Sequence, residues 1–64
     1  MSKLYRDLAK KLRAAGWRFE RQARGDHEIW SHPDHPRRLT IDKGLAKRHS
    51  ANAVLKQAGL PKTF

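Results

Sequence analysis

The sequence predicts an α+β domain: a helix, a three-stranded antiparallel meander and a second helix, with both helices on one face of the sheet. Three observations predict it. Leu4, Leu8, Leu12 and Ala15 recur at spacings of three and four, the period of a helix with one buried face. Residues 17–41 alternate with a period of two and are cut twice by turn-forming residues, as expected of short strands joined by tight turns. Val54, Leu55 and Ala58 form a second, shorter apolar stripe that stops at Gly59.

Each element can be justified in order. The first helix is predicted over residues 2–15, with Ser2 as N-cap and Gly16 as its stop; Lys3, Arg6, Lys10, Lys11 and Arg13 supply its wet surface. Trp17, Phe19 and Arg21 then alternate with Arg18, Glu20 and Gln22 in a first strand. Ala23-Arg24-Gly25-Asp26 is a turn, with Gly25 able to take a positive φ. In the second strand His27, Ile29 and Ser31 alternate with Glu28, Trp30 and His32, and the Ile29 face is assigned to the helices. Pro33-Asp34-His35-Pro36 breaks that strand. Arg37 to Ile41 forms a third, and a basic connector over residues 42–49 leads to a helix capped by Ser50 and running to about Ala58. The predicted core is Leu4, Leu8, Leu12, Phe19, Ile29, Leu39, Ile41, Val54, Leu55 and Leu60.

Sixty-four residues make one domain, residues 1–64, with modest stability; a chain of this size buries only about 60% of its unfolded surface. The absence of Cys excludes disulfides and thiolate metal sites and fits a cytoplasmic protein. No apolar run is long enough to span a membrane, and the charged start Met1-Ser2-Lys3-Leu4-Tyr5-Arg6-Asp7 does not read as a signal peptide. Fifteen Lys and Arg against six acids give a net charge of +9, a field that attracts and steers polyanions. Disorder is excluded by the two Trp, two Phe, one Tyr and regular aliphatic spacing.

Four histidines could carry chemistry: His27, His32, His35 and His49. Imidazole exchanges protons near neutral pH. RNA brings its own nucleophile, the 2′-hydroxyl, so one placed base and nearby cations suffice for cleavage. His27 has the best position, opening a strand directly after Gly25-Asp26, at the margin of the core if it shares the helix-side face of Ile29. Asp26 is placed to orient its ring; Glu28 points to the other face. His32 and His35 form a His-x-x-His pair without further ligands, which reads as a solvated turn and not a metal site. His49, just before Ser50, is a surface residue, a partner-facing one or a phosphate contact at a helix N-terminus.

Cations cluster around the same region. Arg21 and Arg24 flank the first turn, Arg37 and Arg38 open the third strand, and Lys43, Lys47 and Arg48 lie in the connector. These seven are the candidate RNA contacts. Trp30, opposite Ile29, either stacks on a base or partner or packs along arginine stems.

Four segments in this order resemble the HicA toxins, the messenger-RNA-cleaving members of HicA–HicB toxin–antitoxin pairs. They are Leu12-Arg13-Ala14-Ala15-Gly16-Trp17, Arg24-Gly25-Asp26-His27-Glu28-Ile29-Trp30, Arg38-Leu39-Thr40-Ile41 and Ala53-Val54-Leu55-Lys56-Gln57-Ala58-Gly59-Leu60. The resemblance covers nearly the whole chain. It implies a fold similar to double-stranded RNA-binding domains and a metal-independent endoribonuclease that needs no cofactor and blocks translation. It also implies His27 as the catalytic residue and a HicB-type antitoxin covering it. Asp26 stands where the family commonly has Ser, and Asp42-Lys43 follows Ile41 where many relatives continue with Pro and a basic or His residue. Two other readings of the basic chain remain at this point: a non-catalytic double-stranded RNA-binding module, suited by Lys47-Arg48, and a module that binds an acidic protein.

Overall fold

The computed structural model describes residues 2–64. In chain order the elements are α1 (Lys3–Ala14), β1 (Arg18–Gln22), β2 (His27–Ser31), β3 (Leu39–Asp42) and α2 (Arg48–Gln57). The strands form one antiparallel sheet in the order β1-β2-β3, the meander that the two turns predicted.

Helix α1 starts where the sequence says. Ser2 Oγ accepts the Tyr5 N–H at 3.0 Å, satisfying one of the four amides a helix N-terminus leaves unpaired. The same hydroxyl donates to the Leu45 carbonyl at 2.7 Å and so ties the start of α1 to the connector that precedes α2. At its other end Gly16 takes a φ of 99°, the Trp17 N–H reaches the Leu12 carbonyl at 2.9 Å and the Gly16 N–H reaches Arg13 at 3.0 Å. This paired arrangement closes a helix through a left-handed residue, and α2 ends in the same way at Gly59–Leu60.

Gly16 is doubly constrained, because a Cβ built there would stand 2.7 Å from His32 Nε2. Gly16→Ala is therefore expected to lower stability by about 1–3 kcal/mol and to displace the His32 ring, measurable by urea denaturation and by the His32 ring resonances in NMR spectra.

Register decides which face of the sheet is buried. Leu39 pairs with Trp30 and Ile41 with Glu28, and directly opposed residues share a face. With Leu39 and Ile41 buried against the helices, Trp30 and Glu28 must join them. The expected face of β2 is thus inverted: Trp30 is fully buried, while His27 and Ile29 lie on the side away from the helices. Phe19 and Ile29 leave the predicted core; Phe19 is 48% exposed. Tyr5, Ala9, Trp17, Trp30, Leu45, Ala51 and Ala58 enter it, while Leu4 and Leu60 pack at its margin.

Three boundaries also move. A bulge between Phe19 and Arg21 breaks the alternation of β1, placing Phe19 opposite Trp30 and Arg21 opposite Ile29. Arg37 and Arg38 precede β3 instead of opening it. Helix α2 begins before Ser50, with extended Lys47 in the cap position and no side-chain cap; Ser50 and Ala51 both donate to the Lys47 carbonyl. Buried Leu45 anchors the connector and brings the chain into helical geometry a turn early.

Candidate functional site

His27 is set by its backbone and free at its ring. Its N–H donates to the Arg24 carbonyl at 3.2 Å and its carbonyl accepts the Ala23 N–H at 2.8 Å, closing the turn between β1 and β2. Gln22 Nε2 braces that turn, donating to the carbonyls of Gly25 (2.9 Å) and His27 (3.0 Å). Gly25 sits at φ 63°, with nothing within 4 Å of a built Cβ, so backbone geometry alone calls for glycine there. On the far side the Lys43 N–H donates to the Asp26 carbonyl at 2.8 Å. The ring of His27 is exposed and, among the described residues, makes no hydrogen bond or ion pair.

The surroundings of the ring follow from the strand pairing. Asp26 and Lys43 form a hydrogen-bonded pair, so the next pair, His27 and Asp42, is the non-hydrogen-bonded kind in which side chains approach most closely. Asp42, which sequence reasoning did not single out, is therefore the acid nearest His27 by register. Its Oδ1 accepts the Gly44 N–H at 2.8 Å and shapes the turn out of β3. Asp26, the expected orienting residue, makes no hydrogen bond or ion pair with the ring among the described residues. Ile29 and Thr40 continue the open face beside it, and Arg21 stands opposite Ile29 on β1.

Of the seven candidate cations, the fold brings Arg24, Lys43 and Arg21 to the His27 end of the sheet. A recess of about 390 Å³ lined by Ser2, Asp26, Lys43 and Gly44 opens beside the turn. Arg37 and Arg38 do not converge there. Arg38 extends β3 to the level of Ser31, four residues along β2 from His27 and so about 13 Å away. Its Nε donates to Glu20 Oε1 at 2.7 Å, a bond that holds the Glu20 carboxyl below the usual carboxylate range. Lys47 and Arg48 are exposed at the start of α2; Arg48 borders a recess with Lys3, Leu4, Asp7 and Phe64 on the helical layer.

The other histidines have different settings. His32 is half-buried, not solvated: its Nδ1 accepts the Asp34 N–H at 2.9 Å, so its Nε2 donates to the Ala15 carbonyl 2.9 Å away. It thereby satisfies an orphan carbonyl at the end of α1. His35 packs edge-on against His32 and tilted against Trp17, with ring centroids 4.7 and 4.9 Å away. With both His32 nitrogens committed, the His-x-x-His pair is a structural clasp over Trp17. His49 is exposed in the first turn of α2.

Beneath the sheet lies a polar network that the sequence reading missed. Glu28 is buried, and its Oε1 accepts both the Tyr5 hydroxyl and Trp30 Nε1, the latter at 3.1 Å. A lone buried carboxylate would be costly; a phenol and an indole at strand-face spacing from an acid were the available signal. Burial, reinforced by the bond to Glu28, pushes the Tyr5 hydroxyl up from 10.0 to about 12. A raised phenol stabilises the fold while it stays neutral. Its contribution is complete below pH 10 and is lost as pH rises through about 12. Stability should fall across that window, and Tyr5→Phe should abolish this part of the fall. Tyr5 is the only tyrosine, so phenolate absorbance follows it directly.

Fold and site together define a small α+β domain that presents, on an open sheet face, a histidine whose ring makes no hydrogen bond among the described residues, with Asp42 across the strand and Arg21 and Arg24 at the same end of the sheet. The family model described as HicA toxin of bacterial toxin-antitoxin matches residues 5–60, a span covering α1 from Tyr5 onward, all three strands, the His27 turn and α2. The chain belongs to the HicA toxin family; it is the toxin of a toxin–antitoxin system, and an antitoxin is its partner. No curated protein and no solved structure matched it. No helix among the described residues is long and apolar enough to cross a membrane.

Proposed function

We propose that this toxin is a metal-independent endoribonuclease that cleaves messenger RNA in the cytoplasm and halts translation, with His27 as its catalytic acid/base. One observation carries the reading: an exposed imidazole that makes no hydrogen bond among the described residues, on a turn braced from both neighbouring strands, with Arg24 in that turn and Arg21 on the adjoining strand. His27 takes the proton from a ribose 2′-hydroxyl, and O2′ attacks the adjacent phosphorus. The bond from phosphorus to O5′ breaks, and the departing oxygen takes up a proton. The products are a 2′,3′-cyclic phosphate and a 5′-hydroxyl. The cations bind the phosphate and stabilise the charge that develops on it. A HicB-type antitoxin would silence the toxin by covering His27.

Labelled messenger RNA incubated with the purified toxin tests this. Cleavage is expected to persist in excess chelator and to leave cyclic phosphate ends. Chelator-sensitive cleavage, or 3′-hydroxyl ends, would overturn the mechanism. Exposed Lys47 and Arg48 at the start of α2 favour one other reading, a non-catalytic double-stranded RNA-binding module. Such a module binds duplex with a steep salt dependence and leaves the labelled RNA intact.

A further inference from the structure

We infer that the uncovered inner face of β1 is a nucleotide-binding groove, separate from His27, that holds an unpaired base of the RNA near the cleavage site. This rests on the proposed RNA substrate and names a subsite for it.

The helices pack over β2 and β3, and β1 overhangs them: all five of its residues are exposed. Between that overhang and α1 runs a groove of about 600 Å³. Phe19, the one large hydrophobic side chain exposed among the described residues, stands in it, edge-on to Trp30 with centroids 6.3 Å apart. The Arg13 guanidinium lies 5.2 Å from the Trp30 ring centroid. Arg6 and Lys43 line the same groove, and none of these three cations has a carboxylate partner, since Glu20 takes both ion pairs found among the described residues.

An aromatic face beside unpaired cations is the arrangement that takes unpaired nucleic acid: bases stack on the ring and phosphates meet the charges. A duplex hides its base faces and could not use Phe19. The floor discriminates further. Glu28 lines the groove, and its carboxylate has acceptor capacity beyond its two protein bonds. A nucleobase would bring N–H donors to it, whereas an acidic peptide would bring carboxylates against a carboxylate. Lys43 belongs to the groove and, through its N–H, to the His27 turn. RNA leaving the groove past Lys43 rounds the sheet end onto the catalytic face.

The test uses His27→Ala protein, to prevent cleavage, and short, unstructured, fluorescently labelled RNAs read by anisotropy. Phe19→Ala is expected to weaken binding about tenfold, Phe19→Tyr to retain it, and Arg13→Ala to lower the salt slope by about 0.7. Circular dichroism confirms folding, which exposed Phe19 should not control. Unchanged affinity in Phe19→Ala would overturn the inference, as would a loss confined to antitoxin binding, which would assign the groove to the protein partner. In parallel, the parent and Phe19→Ala with His27 intact are assayed for cleavage. If the parent binds through Phe19 but cleaves nothing, the groove stands and the catalytic reading fails; His27-dependent cleavage with Phe19-independent binding gives the reverse.

Discussion

Replacing His27 with Ala is expected to reduce RNA cleavage about 10²–10⁴-fold, the usual contribution of a positioned acid or base, with the fold unchanged. The structural cost is small because the ring is exposed and its atoms bond to nothing. The N–H and C=O that close the turn belong to the backbone and survive the substitution. Stability should stay within about 0.5 kcal/mol of the parent. Cleavage of labelled RNA, growth arrest on expression and a urea melt measure all three consequences. A His27→Ala protein that cleaves like the parent would remove His27 from the chemistry; one that fails to fold would contradict its surface placement.

The largest stability effect is expected at Trp30. Its side chain is fully buried, donates to Glu28, packs edge-on against Phe19 and lies beneath the Arg13 guanidinium. Truncating a buried Trp to Ala costs about 3–5 kcal/mol from lost transfer and the cavity left behind. It also strips buried Glu28 of one of its two partners. A domain of this length has roughly 3–10 kcal/mol in total, so Trp30→Ala should be largely unfolded at room temperature. Trp30→Phe keeps most of the apolar contact and loses the bond to Glu28, at a cost of about 1–3 kcal/mol. Thermal melts of both variants check the order; equal stability of Trp30→Ala and the parent would mean that Trp30 is not a core residue.

Much of the architecture was legible in the chain, for local reasons. The spacing of Leu4, Leu8 and Leu12, the Ser2 cap and the glycines at 16 and 59 act within one or two helical turns. The turn at Gly25 likewise depends only on its neighbours. The position of His27 after that turn was legible too, and so was the family, through four short segments matched in order.

The facing of the sheet was not legible. Ile29 and Trp30 are both apolar neighbours on one strand, and period-two alternation is satisfied by either face. The choice fell to β3, whose Leu39 and Ile41 must face the helices and whose register carries Trp30 and Glu28 with them. Burying Glu28 became tolerable because Tyr5 arrives from α1 to donate to it, a partner 23 residues away. The early start of α2 has the same origin, the burial of Leu45 against the rest of the fold.

By itself, then, the sequence determined the order of elements, the ends of α1 and the turn that positions His27, because each of these depends on local geometry. The tertiary structure decided which side of the sheet meets solvent. It thereby moved His27 from the core margin to an open face with Asp42 across the strand, separated Arg37 and Arg38 from it, and left Phe19 standing in a groove. The physical reason is that a strand's two faces are equivalent until a partner strand and a packed helix make them different.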